Sequence, residues 1–210
     1  MPIAIIVEPY YQVNKTVSIS THANNRLNYI KAILSRSINL NKKGNNKTAA
    51  VMVILTIIDK QLNVLFTHRT NSVSTHKDQV SFPGGLNEIN DDGLIQTALR
   101  ETGEEIGLII DKNEILGKLP EQNSISGFQI HPFICFIETL PDLKLNYEEV
   151  KHIFTIPLDW ILNRNNWNYQ IIKSSNRKKR QVVVFQKYNN EIVWGITGQI
   201  LVSFADLLLI

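Results

Sequence analysis

The stretch GGLNEINDDGLIQTALRETGEEIGL, Gly84 to Leu108, sets a double glycine in front of a helical pattern. At about 100° per residue, Ile95, Ala98, Leu99, Thr102 and Ile106 share one side of a helix over 94–108. Glu101, Glu104 and Glu105 share a neighbouring arc, and Gly107 stands where a helix ends. Glu101 forms like-charge pairs with Glu104 and Glu105, each destabilising an exposed helix by about 0.2–0.5 kcal/mol. A solvated acidic face is the bland reading of three such glutamates. Here they follow the Pro83-Gly84-Gly85 break, which lets the backbone approach a ligand closely, and Arg100 is poised to brace a carboxylate. Converging oxygen donors suit Mg²⁺ or Mn²⁺, whereas zinc would call for His or Cys, and neither lies on this arc.

Outward from this segment the chain reads as mixed α/β. Ala49 to Ile58 (AAVMVILTII) is a continuous apolar run, the pattern of a strand buried on both faces. Leu62 to Arg69 returns after a turn, and Val80 to Phe82 is a short extended piece. Glu114 to Leu119, His131 to Thr139 and Val150 to Thr155 also read as strands. Pro157 to Leu162 reads as a short helix with proline in its first turn. Val182 to Tyr188 and Glu191 to Gly195 form an expected hairpin across Asn189-Asn190. Toward the start, Leu27, Ile30, Leu34 and Ile38 recur at helical spacing within 21–40. The polar NKKGNNK of Asn41 to Lys47 follows as a linker. The expected organisation is an N-terminal extension over 1–47 carrying a helix, then one domain over 48–210.

Composition narrows the function classes. The 210 residues are 43% hydrophobic and 20% charged, which is globular and excludes a disordered or fibrous chain. The net charge of +3 is too small to argue for a nucleic-acid partner. One cysteine, Cys135, fits a reducing compartment, and the first residues lack a cationic export signal, so the expectation is a cytoplasmic protein. Ile192 to Ile210 is apolar enough to suggest a membrane anchor, but it contains Asp206, Gln199 and two glycines. It reads instead as a buried strand, a turn and a C-terminal helix, with no membrane association.

Arg100 to Leu108 (RETGEEIGL) resembles the second half of the box that marks the Nudix hydrolase family, G-x5-E-x7-R-E-U-x-E-E-x-G-U, where U is aliphatic. In the first half Asp91 replaces the glutamate, and eight residues separate it from Arg100. Gly84, Gly85, Glu88 and Asp91 match the form GGxx(D/E)xxD of the coenzyme A diphosphatase-like branch. Leu65 to Gly85 (LFTHRTNSVSTHKDQVSFPGG) is similar to that branch's coenzyme A signature, with Thr70 where serine is usual and Asp78 where glycine is usual. Gly117 to Pro132, Phe154 to Trp160 and Val193 to Ile200 are similar to it as well.

The resemblance implies a Nudix-type α/β/α sandwich with a mixed sheet. It also implies metal-dependent hydrolysis of coenzyme A or a derivative to a 4′-phosphopantetheine product and adenosine 3′,5′-bisphosphate. Glu101 and Glu105 are the expected metal ligands. Glu104 is a further ligand or the base, a Gly84 or Gly85 carbonyl adds a ligand or substrate contact, and Arg100 orients a box carboxylate. Arg69 is divided between a substrate phosphate and a strand-end charge facing water, and Lys77 is a weaker candidate. His68, His76, His131 and His152 are scattered and carry no assigned role. The basic run Arg177 to Arg180 is a solvated loop or a contact for a 3′-phosphate. The alternatives are another substrate such as ADP-ribose or NADH, or a nucleotide-binding module without turnover, against which the three intact glutamates argue. Leu27, Ile30 and Leu34 offer an apolar surface for a homodimer or for packing on the domain.

Overall fold

A computed structural model describes residues 19–35, 44–45, 47–70, 78–173 and 179–209. In chain order the elements are α1 (Thr21–Leu34), β1 (Thr48–Ile58), β2 (Gln61–Arg69), β3 (Val80–Ser81), β4 (Gly84–Leu86) and α2 (Leu94–Ile106). There follow β5 (Ile115–Lys118), β6 (Gln122–Asn123), β7 (Gln129–Ile137), β8 (Val150–Pro157), α3 (Leu158–Leu162), β9 (Trp167–Lys173), β10 (Lys179–Phe185) and α4 (Gly195–Leu208). Ile38, His76, Lys77 and the first half of the basic run lie outside the described residues.

The main sheet is built around β1. Parallel pairing joins β1 to β7, from Thr48 opposite Gln129 to Thr56 opposite Ile137. The other edge of β1 is shared: its first residues pair antiparallel with β4, and Ile54 to Ile58 pair with β2. β8 and β3 add to β2, while β5 and β6 add to β7, all antiparallel. The sheet is therefore mixed. The turn from β1 to β2 places Asp59 and Lys60 at φ 50° and 64°, the left-handed geometry of a two-residue hairpin.

Alternation along β1 divides the core. Val53, Leu55 and Ile57 face one cluster, with α1, α3 and α4, while Ala50, Met52 and Ile54 face another, under α2. This explains the continuous apolar run, because both faces of the strand are covered by helices. The arrangement is the expected α/β/α sandwich. Cys135 lies fully buried in the α2 cluster, and burial pushes its thiol pKa upward.

Two expectations change. The helix expected over 21–40 is described from Thr21 to Leu34, entered through the Ser20 hydroxyl, which accepts from the Ala23 N–H at 3.2 Å. Its apolar face, Ala23, Leu27, Ile30 and Leu34, is buried in the chain's own core rather than offered to a second copy. The expected strand over Glu191 to Gly195 is reduced to single bridges, Tyr188 with Glu191 and Val184 with Trp194. The Asn189-Asn190 turn is present at φ 46° and 69°, but α4 begins at Gly195 and leaves too little chain for a second strand. β10 pairs instead with β9, a strand the sequence pattern did not reveal. The apolar C-terminal run forms α4, whose Ile200, Leu201, Val202 and Phe204 are buried in the core while Asp206 is exposed and pairs with Arg164. Among the described residues no helix is long and apolar enough to cross a membrane.

Ile30 has no exposed surface. Ile30→Ala should cost about 2–5 kcal/mol in equilibrium denaturant unfolding, as for any well-packed core residue. A loss under about 0.5 kcal/mol would mean that α1 is a dispensable appendage.

Candidate active site

The site forms where β4 lies against β1 and α2 packs across both. Val51 pairs with Gly84 and Ala50 with Gly85, so the double glycine is stitched into the sheet instead of forming a free loop. A Cβ at Gly84, whose φ is 149°, would lie 2.4 Å from the Ala50 carbonyl oxygen. A Cβ at Gly85 would lie 2.5 Å from the carboxylate of Glu101. Glycine is therefore required at Gly84 by the sheet backbone, whereas at Gly85 a side chain would displace the Glu101 carboxylate.

Arg100 gathers the acidic groups. Its Nε and Nη2 donate to the two oxygens of Asp91 at 3.0 and 3.1 Å, and Nη2 also reaches the Leu86 carbonyl. Nη1 donates to Glu101 at 3.0 Å and to Glu104 at 2.9 Å. Asp91 is only 3% exposed and also accepts from the Glu88 N–H and the Thr97 hydroxyl. Burial pushes Asp91 up, but these hydrogen bonds outweigh it and hold the pKa at about 2. The Asp91 hydrogen bond in turn raises the pKa of Arg100. Arg100 thus hydrogen-bonds Asp91, Glu101 and Glu104 at once.

Glu105 differs from its neighbours. Its side chain is 1% exposed, and Oε1 accepts from Nη1 of Arg69 at 2.9 Å. Oε2 is buried without a hydrogen-bond partner. Burial raises its pKa to about 7, with Arg69 opposing and the charges of Glu101 and Glu149 adding. Glu101 is raised as well, again by burial first. Glu104 is 56% exposed and faces outward. A cavity of about 890 Å³ on the outer flank of α2 is lined by Arg100, Glu104 and the segment from Ile109 to Asp111, but not by Glu101 or Glu105.

Arg69 is 18% exposed and does not simply face water, since it bridges Glu105 and, at 3.7 Å, Glu149. Glu149 is a further carboxylate at the site that sequence reasoning missed. No motif surrounds it. It reaches the site because Val150, the next residue, pairs with Arg69 across β8 and β2. The carboxylates of Glu101, Glu105 and Glu149, braced by Arg69 and Arg100 and with one Glu105 oxygen left unsatisfied, are an all-oxygen donor set that fits a hard divalent cation. Of the histidines, the fold brings His68 and His152 together on the other side of β2, away from these carboxylates.

The NUDIX domain profile matches residues 46–174. Relatives include an uncharacterized Nudix hydrolase NudL of Photorhabdus laumondii, 33% identical over 162 residues, covering 77% of this chain and 85% of the relative. The NudL of Pectobacterium atrosepticum is 34% identical over 161 residues, covering 76% and 81%. A MutT/nudix family protein from Enterococcus faecalis aligns in structure with TM-score 0.48 and 17% identity, over 84% of this chain and 64% of its own. The chain belongs to the Nudix hydrolases, metal-dependent enzymes that act on nucleoside diphosphate derivatives.

The two glycines should respond differently to alanine. Gly84→Ala meets backbone and should cost about 1–3 kcal/mol in unfolding experiments. Gly85→Ala meets only the movable end of Glu101, so it should melt near wild type yet lose divalent-cation binding in calorimetry.

In chelator, Glu105 remains protonated in the folded chain up to about pH 7 but ionises near 4.5 when unfolded. Its contribution to stability is complete below the unfolded value and is lost as pH rises through the folded one. The melting temperature of wild type relative to Glu105→Gln should therefore fall between pH 4.5 and 7.

Proposed function

We propose that this Nudix hydrolase cleaves the diphosphate of coenzyme A or a derivative, giving a 4′-phosphopantetheine product and adenosine 3′,5′-bisphosphate. The unsatisfied Oε2 of buried Glu105, beside Glu101 and Glu104, carries the assignment of a cation-dependent site. The substrate reading is supported by the sequence from Leu65 to Gly85. Within it Arg69 lies against Glu105 and Gly85 lies against Glu101.

Glu101 and Glu105 would hold Mg²⁺ or Mn²⁺, which when bound neutralises the diphosphate and polarises its phosphoryl oxygens. The chain's own residues do the rest. Asp91 fixes the Arg100 guanidinium, and Arg100 fixes the directions of Glu101 and Glu104. Arg69 holds one oxygen of Glu105 and leaves the other free to face a cation. Glu104, the most exposed of the three, takes a proton from the attacking water. The water oxygen bonds to one phosphorus as the bond from that phosphorus to the bridging oxygen breaks, and the bridging oxygen leaves on the second phosphate. The missing side chain of Gly85 leaves room for the Glu101 carboxylate beside β4.

Glu104→Gln should lower kcat by about 10²–10⁴-fold, the usual contribution of a general base. Glu105→Gln should raise the Mg²⁺ or Mn²⁺ concentration needed for turnover. Unchanged rates in both variants would remove the metal-site reading. Mass spectrometry over coenzyme A, ADP-ribose and NADH decides the substrate. Adenosine 3′,5′-bisphosphate from coenzyme A as the fastest product is the expected result, and faster cleavage of another compound refutes it.

A further inference from the structure

Two of the histidines that look scattered in sequence meet in space. His68 of β2 and His152 of β8 are direct register partners, with ring centroids 4.8 Å apart. Glu191, just after the Asn189-Asn190 turn, sends its carboxylate to both rings. Oε2 lies 2.8 Å from His68 Nδ1 and Oε1 lies 2.8 Å from His152 Nε2. One donor atom from each residue falls within 4.8 Å of the other two.

The hydrogen count on His68 is in conflict. Its Nδ1 faces Glu191, and its Nε2 faces Asp78 Oδ1, also at 2.8 Å. A neutral imidazole carries one N–H and satisfies only one of these carboxylates. A cation between Nδ1 and Glu191 removes the conflict, leaving the Nε2–H for Asp78. That carboxylate–histidine pairing is the usual support for a metal-bound imidazole, because it fixes the tautomer and ring orientation. A doubly protonated ring would remove the conflict too, and the two differ in what they bind.

We propose that His68, His152 and Glu191 form a second metal site, specific for a zinc-like transition ion. Two nitrogens and one carboxylate are a borderline-soft donor set, unlike the all-oxygen cluster around Glu101. Zinc bonds of about 2.0–2.1 Å set tetrahedral donors roughly 3.3–3.5 Å apart, which side-chain rotation reaches from the present separations. Three protein ligands leave one position for water or an exogenous ligand. Glu191 would then be tied to the β2–β8 pair, anchoring the turn that leads into α4. The site lies on the face of β2 opposite Arg69 and is independent of the coenzyme A reading.

The test uses the full chain, stripped with chelator and held in excess Mg²⁺. Zn²⁺ is titrated against a chromogenic chelator, and the melting temperature is followed in parallel. Wild type should take up one Zn²⁺ per chain with a rise in melting temperature. His152→Gln and Glu191→Gln should each weaken uptake by about tenfold or more, whereas Glu101→Gln should not. Co²⁺ in wild type should give the visible bands of four-coordinate, nitrogen-ligated cobalt, which is a readout independent of how the variants fold. No Zn²⁺ uptake by wild type, meaning an imidazolium bridge only, overturns the proposal. Uptake insensitive to His152 and Glu191 does so as well, as does uptake abolished by Glu101→Gln or cobalt spectra without nitrogen ligation.

Discussion

Four carboxylates and a carbonyl crowd around one guanidinium in this molecule. Arg100 binds Asp91 through two nitrogens, Glu101 and Glu104 through the third, and sits 3.8 Å from Glu88. Without that charge, acidic groups one helical turn apart would repel one another and rotate outward. With it, they converge beside the double glycine. The planar fork suits this task, since a lysine would satisfy one oxygen at a time. Asp91 is the counterweight: nearly sealed from water, it leaves Arg100 little freedom to follow Glu104 into solvent.

The sheet supplies the other half of the site. β4 and β2 share one edge of β1, and the handover is closed by the Met52 N–H donating to the Pro83 carbonyl at 2.9 Å. That places the glycines under α2 and Arg69 beside Glu105. The helix that carries the acids is buried along Leu94, Ile95, Ala98 and Ile106, so its rotation about its own axis is set by core packing. Glu105 is placed at the edge of that buried stripe and Glu104 beyond it. One helix thus presents a desolvated carboxylate and a hydrated one side by side, two environments that suit different steps of a hydrolysis.

Local pattern carried much of this. The helix ending at Gly107, the doubly buried strand from Ala49, and the acidic arc follow from periodicity and turn chemistry inside one segment. What escaped depends on register between distant segments. Glu149 joins the site only through the pairing of Val150 with Arg69, and His68 meets His152 only through the same ladder. The bulge at that point is invisible to any window of sequence. β9 escaped because WNYQIIK lacks clean alternation, and beyond Trp167 the residues Asn168 to Ile171 are all exposed, Tyr169 and Ile171 included. The expected hairpin partner for β10 was locally plausible, but helix α4 claimed its residues.

β2 bears a guanidinium and an imidazole on adjacent residues, and the pleat sends them to opposite sides of the sheet. The strand therefore has a reading frame. Loss of a single residue between Gln61 and His68 would move Arg69 into the place that faces Glu191 and Thr70 into the place that faces Glu105, spoiling both faces at once. Substitutions along this strand can drift, but its length is under much tighter constraint.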